Sequence, residues 1–166
     1  MRTGLKIISG AQTGVDRAAL DVALKHGIDC GGWCPAGRLD ELGKIPDRYP
    51  VKELEQGSFA DRTLQNVRDS DGTVAIYFGE LRGGTEHTVR YCLEQKRPHR
   101  LIDAAKLSAE DAARAIGDFV REHKIDILNV AGPRQSEWAD GYGFGFRALE
   151  LFVAYLDPVR YGNPAL

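Results

Sequence analysis

The chain has 166 residues, one domain's length, which allows a single core over residues 1–166 and leaves no room for a second of similar size. With 43% hydrophobic and 28% charged residues and a formal net charge of -2, it is neither a disordered chain nor one that draws in nucleic acid by a global positive field. Any anion it binds needs a local site.

Lys6 to Ser9 is an apolar run too short for a helix and ended by Gly10, which reads as a buried first strand. From Val15 the apolar positions Val15, Ala18, Ala19, Val22 and Ala23 follow the helical period, and Gly27 stands where a left-handed residue would end the helix. The segment Ile28 to Trp33 reads as a second short strand. From Cys34 a stretch with Pro, Gly and mixed charge offers no clear regular structure until about Phe59, and a loop of that length in a compact domain is commonly functional.

A helical pattern returns over Asp61 to Ser70, and Gly72 to Phe78 reads as a buried β-branched strand. Gly79 to Thr88 is a second glycine loop, leading into a helix with Val89, Cys92 and Leu93 on one face. Arg100 to Ile102 is a short strand candidate beyond it. Ser108-Ala109-Glu110-Asp111 resembles a capping box ahead of Ala112, Ala115, Ile116, Phe119 and Val120. Ile127 to Gly132 is the last strand, followed by the polar turn Pro133 to Ser136 and a terminal helix over Gly143 to Leu156. Alternating strands and helices predict a Rossmann-like, doubly wound, mostly parallel sheet of about five strands with helices on both faces. Ligands of such sheets sit beyond the carboxyl ends of the strands, where all three polar turns gather.

A glycine turn at a helix N-terminus accepts an anion without net positive charge, because unpaired N–H groups and the helix dipole face it. Gly10 to Val15 has no lysine and does not match the phosphate loop of NTPases, and the chain also lacks G-x-G-x-x-G and an acidic residue after the second strand. Lysine-assisted NTP hydrolysis and ordinary NAD-dependent chemistry are thereby disfavoured. The candidate ligand-binding residues are Gly10, Ala11, Gln12, Thr13 and Gly14 in the first turn, with Gln12 and Thr13 facing the ligand. Gly83, Gly84, Thr85 and Glu86 form the second set, and Gly132, Arg134 and Ser136 the third. Tight packing alone also explains the glycines, and Ser136 also suits a helix cap.

Glu86 is the carboxylate best placed for chemistry if the protein is an enzyme, able to stabilise a developing sugar cation; it is equally suited to pair with the helix dipole. Asp16 and Arg17 share that ambiguity, and adjacent helix positions let at most one of them point at the ligand. His87, beside Glu86, is a further ligand-contact candidate. Trp33, Tyr142, Phe144 and Phe146 are candidates for stacking on a planar ring, although core packing is the commoner role. The 3 cysteines, Cys30, Cys34 and Cys92, with no signal peptide ahead, point to a reducing cytoplasm, and no spacing supports a structural metal. No apolar stretch approaches the roughly 20 residues that span a bilayer.

Ser9 to Asp21, Gly83-Gly84-Thr85 and Asn129-Val130-Ala131-Gly132-Pro133-Arg134-Gln135-Ser136 together resemble the molybdenum-cofactor carrier family, over nearly the whole chain. That family is similar to a wider Rossmann-like group holding the Lonely Guy phosphoribohydrolases and DNA-processing proteins. The resemblance implies binding of the pterin cofactor's phosphate and ring system (molybdopterin) in a homo-oligomer. The phosphoribohydrolases carry Pro-Gly-Gly-x-Gly-Thr-x-x-Glu, whereas Leu81-Arg82-Gly83-Gly84-Thr85-Glu86 sets the glutamate directly after the threonine. The leading expectation is therefore a carrier of a phosphorylated pterin or nucleotide-like ligand, and the alternative a nucleotide N-glycosidase using Glu86.

Overall fold

The computed structural model describes residues 4–156. Strand β1 (Lys6–Ile8) leads through the first glycine turn into helix α1 (Val15–Lys25), whose apolar face buries Val15, Ala18, Ala19, Val22 and Ala23. Gly27, at φ 64, turns the chain out of α1, and the Ile28 N–H returns to the Ala23 carbonyl at 2.9 Å. Strand β2 (Asp29–Gly31) then runs parallel to β1, with Ile7 opposite Cys30.

The stretch without a clear pattern contains short regular pieces. β3 (Trp33–Cys34) pairs in parallel with β6 (Lys52–Glu53), and between them β4 (Leu39–Asp40) and β5 (Gly43–Lys44) form an antiparallel hairpin. No periodicity announces this region because two-residue strands are too short to alternate. Individual side chains hold it instead. Ile45 and Tyr49 are buried in the main core, and the Arg38 guanidinium donates to the carbonyls of Val51, Pro46 and Tyr49. Burying each of the two core side chains stabilises the loop by about 2 kcal/mol.

Helix α2 (Phe59–Arg68) starts ahead of the expected Asp61, because the Asp61 carboxylate reaches back to the Ser58 N–H at 2.8 Å and closes a capping box. β7 (Gly72–Tyr77) is buried at every position, as its β-branched composition predicts. Helix α3 (Gly83–Glu94), strand β8 (His99–Asp103) and helix α4 (Ala109–Glu122) follow, with the Ser108 hydroxyl oxygen accepting from the Asp111 N–H at 3.1 Å as the α4 cap. β9 (Ile127–Ala131) and helix α5 (Gly141–Leu156) complete the described chain.

The main sheet is five-stranded and parallel throughout, in the order β2-β1-β9-β7-β8. Helices α1 and α4 pack against α5, while α2 packs against α3, so the sheet carries two separate helical groups. This is the Rossmann-like α/β architecture expected from the alternation of elements. Among the described residues, no helix is long and apolar enough to cross a membrane.

Candidate functional site

Because β1, β9 and β7 are neighbours, the turns that leave their carboxyl ends are neighbours too. Gly14 shows how tightly the first and third turns meet. It sits at φ 82, and a β-carbon there would lie 2.5 Å from the Pro133 carbonyl oxygen. Between these turns, α2 and the start of α3 lies a cleft of about 480 Å³, the size of a small-molecule site.

Of the residues expected at the site, Gly10, Gln12, Gly83, Gly84, Thr85, Gly132 and Arg134 line this cleft. Ala11, Thr13, Gly14, Glu86 and Ser136 are not among its lining. Ala11 holds the turn in a left-handed conformation at φ 59, and its carbonyl accepts from Arg17 Nη2 at 2.9 Å. Thr13 and Ser136 are both hydrogen-bonded to Glu41, on the β4–β5 hairpin. Glu86 is exposed and lies 3.8 Å from Arg90, one helical turn on. Of the adjacent pair, Asp16 lines the cleft, whereas Arg17 turns away to Asp40 at 2.7 Å. His87 lines the cleft beside Thr85 and Thr88.

At the N-terminus of α3, Arg82 supplies no side-chain cap, leaving the first N–H groups of the helix open towards the glycine turn. The Thr85 side chain lies in that first turn and is 3% exposed. This end of the cleft has the donors that an anion requires.

One residue of the cleft wall is one that sequence reasoning missed. Arg62 is 8% exposed, in the middle of α2, and lines the cleft. Its Nη1 donates to the Gly10 carbonyl at 2.6 Å, and its Nε to the Phe59 carbonyl and Thr63 hydroxyl, each at 3.1 Å. Nη2 has no hydrogen-bond partner among the described residues. Burial lowers the guanidinium pKa, with Asp16 opposing that shift, yet a guanidinium remains charged at any working pH. A buried cation with an open N–H edge is therefore part of the cleft wall.

Asp16 is the matching carboxyl. Burial raises its pKa to about 6, against the opposing effects of Arg62, the Gln12 N–H, Arg17 and the Gly132 N–H. The Gln12 N–H donates to Asp16 Oδ2 at 3.3 Å. Near neutrality this group is close to its titration point and can either donate or accept.

The exposed aromatic in the cleft is Phe59, 40% exposed, with the Arg62 guanidinium carbon 5.5 Å from its ring centre. The four aromatics expected to stack have other contacts. Trp33 Nε1 donates to Asp69, the Tyr142 hydroxyl donates to Asp21, Phe144 packs on Trp138, and Phe146 stacks on Tyr142. Among the described residues, no group of three or more His, Cys, Asp or Glu side chains could hold a metal ion.

A Rossmann-like sheet with a polar cleft at the carboxyl ends of its central strands is the class that this geometry defines. The pattern described as the circularly permutated YpsA SLOG family matches residues 7–152, and the chain belongs to that family. The solved structure of a "Putative molybdenum carrier protein" from Syntrophus aciditrophicus SB is similar to it, with 45% sequence identity and a TM-score of 0.89 over 91% of this chain and 96% of that one. No curated protein matches the chain. If β9 were counted first, the sheet order would read 3-2-1-4-5, the order of a dinucleotide-binding Rossmann sheet without its sixth strand.

Proposed function

We propose that this protein binds and carries a phosphorylated ring compound, a pterin of the molybdenum-cofactor type or a nucleotide-like molecule, in the cleft between β1, β9, α2 and α3. The observation that carries this reading is Arg62, a buried guanidinium with its Nη2 open, in the same cleft as the uncapped start of α3. An anionic group held there would satisfy the guanidinium edge and the helix N–H groups together. Phe59 offers a face for the ring, and Asp16, Gln12 and Asn129 offer polar partners at its edge. The neighbour's description as a molybdenum carrier supports the pterin form of the reading.

The donor set suits the phosphate and ring of such a cofactor. Its metal finds only His87 among the His and Cys side chains of the described cleft lining, so the ligand is held through its organic part. The position of Glu86, outside the cleft lining, gives the N-glycosidase alternative no support. Titration calorimetry with molybdenum cofactor, molybdopterin and nucleoside monophosphates tests the proposal. Binding by the wild type that is lost in Arg62→Met is the expected result, and no binding to any of these ligands would end it.

A further inference from the structure

Thr13 and Ser136, both expected at the ligand, instead converge on a carboxylate from the chain itself. The Thr13 hydroxyl donates to Glu41 Oε1, the Ser136 N–H donates to the same oxygen at 3.1 Å, and the Ser136 hydroxyl donates to Oε2. The Thr13 oxygen accepts in turn from the Gln135 N–H at 3.1 Å, and the Glu41 N–H donates to Gln12 Oε1 at 2.9 Å. Desolvation works against the charge on Glu41, but the bonds from Ser136 and Thr13, with help from Arg134, hold its pKa below the ordinary range. Two hydroxyls, a backbone N–H in a turn after a parallel strand and a nearby guanidinium are what a tetrahedral oxyanion would use.

The hairpin does not depend on Glu41 for its attachment. Asp40 is 8% exposed and paired with Arg17 at 2.7 Å, and Ile45 and Tyr49 are buried in the core. Beyond Glu41 the tip packs on nothing among the described residues outside its own hairpin, where the Leu42 N–H donates to Asp40 Oδ1 at 2.8 Å. Leu42 is 83% exposed, and at Gly43, with φ 136, a β-carbon would meet nothing within 4 Å. The carboxylate can thus leave while the base of the hairpin stays in place.

We propose that Thr13 and Ser136 form an oxyanion subsite beside the cleft, which Glu41 fills in the free protein and from which a phosphate group displaces it. The subsite goes beyond the binding reading above, since none of Thr13, Glu41 and Ser136 lines the cleft. It borders the cleft at Gln12 and Arg134, which lie in both neighbourhoods. A tethered carboxylate competes at high effective concentration, so its removal reveals the subsite.

The probe is inorganic phosphate, followed by calorimetry. Glu41→Ala is expected to bind phosphate about tenfold more tightly than the wild type, a change of about 1.4 kcal/mol. Adding Ser136→Ala should cancel the gain, whereas adding Thr85→Val, which weakens phosphate binding in the cleft with or without Glu41, should leave the tenfold ratio between the two backgrounds. Glu41→Gln, which keeps the side-chain length and the backbone bond to Gln12, should shift binding in the same direction and guards against misfolding of the alanine variant. In the wild type, high phosphate should speed hydrogen exchange at the Glu41 amide. Phosphate affinity unchanged or weakened in both Glu41 variants, or a gain that survives Ser136→Ala, overturns the proposal. Failure of the cleft ligands to bind would leave these results unaffected.

Discussion

A β-carbon on Gly10 would collide with Arg62 Nη1, the atom that donates to the Gly10 carbonyl at 2.6 Å. The guanidinium occupies the space that any other residue at position 10 would need. Gly10→Ala should therefore destabilise the protein by about 1–3 kcal/mol, the usual cost of overpacking. In an Arg62→Ala background the same substitution should cost far less, and urea denaturation of the four proteins in the cycle measures the difference. Additive effects would show that the two residues are not in conflict.

Arg62 itself should separate binding from stability. A buried charge with one edge unpaired is a stability cost, and replacing it by a well-packed apolar side chain is commonly neutral or favourable. Arg62→Met is expected to match or exceed the wild type in thermal denaturation while losing about 2–4 kcal/mol of anion binding. Arg62→Lys should not restore binding, because a compact ammonium lacks the planar fork that sends Nε to the Phe59 carbonyl, Nη1 to the Gly10 carbonyl and Nη2 towards a ligand.

Asp16 should leave a mark on stability against pH. Its folded pKa, about 6, lies above the ordinary aspartate value of 3.8, so the folded state holds the proton over that interval while the unfolded state has lost it. The contribution is fully present below the lower value and is lost as pH rises through the higher, a total of about 3 kcal/mol. Asp16→Asn should flatten the stability profile between those two values. Denaturant midpoints at several pH values check this, and an unchanged slope would exclude Asp16 as the titrating group.

The strand, turn and helix units are legible in the sequence because β7 is a continuous β-branched run and α1 and α4 keep a clean helical period. Arg62 is not. Its neighbours Asp61 and Thr63 are polar, and a charged residue in such company reads as a solvated face. The signal lies in the period: the residues that α2 buries are Arg62, Asn66 and Val67, a core-facing stripe with polar side chains where apolar ones are usual. The partner of Thr13 and Ser136 is hidden for another reason. Glu41 is 28 residues from Thr13 and 95 from Ser136, on a hairpin with two-residue strands, and local pattern carries no information over such separations.

Glu86 offers a contrast to Arg62. It is exposed in the first turn of α3 and reaches Arg90 only at 3.8 Å, so its removal touches no cleft contact. Glu86→Gln should change ligand affinity by less than about twofold, within the range of ordinary surface substitutions. A large loss in calorimetry would return Glu86 to the site.

The position of β9 also governs the order in which the protein can assemble. It is the last strand of the sheet to be synthesised and the middle one in space, and β1 and β7 pair with it and not with each other. On the ribosome, β1–β2 and β7–β8 can form only as separate two-stranded fragments, each with an open inner edge. At ordinary synthesis rates the second fragment, complete at Asp103, waits on the order of 1 to 6 s for residues 127–131 to appear. Over that time the unpaired backbone edge of the apolar strand β7 is exposed to other nascent chains, which makes this a protein whose yield should respond to chaperone supply.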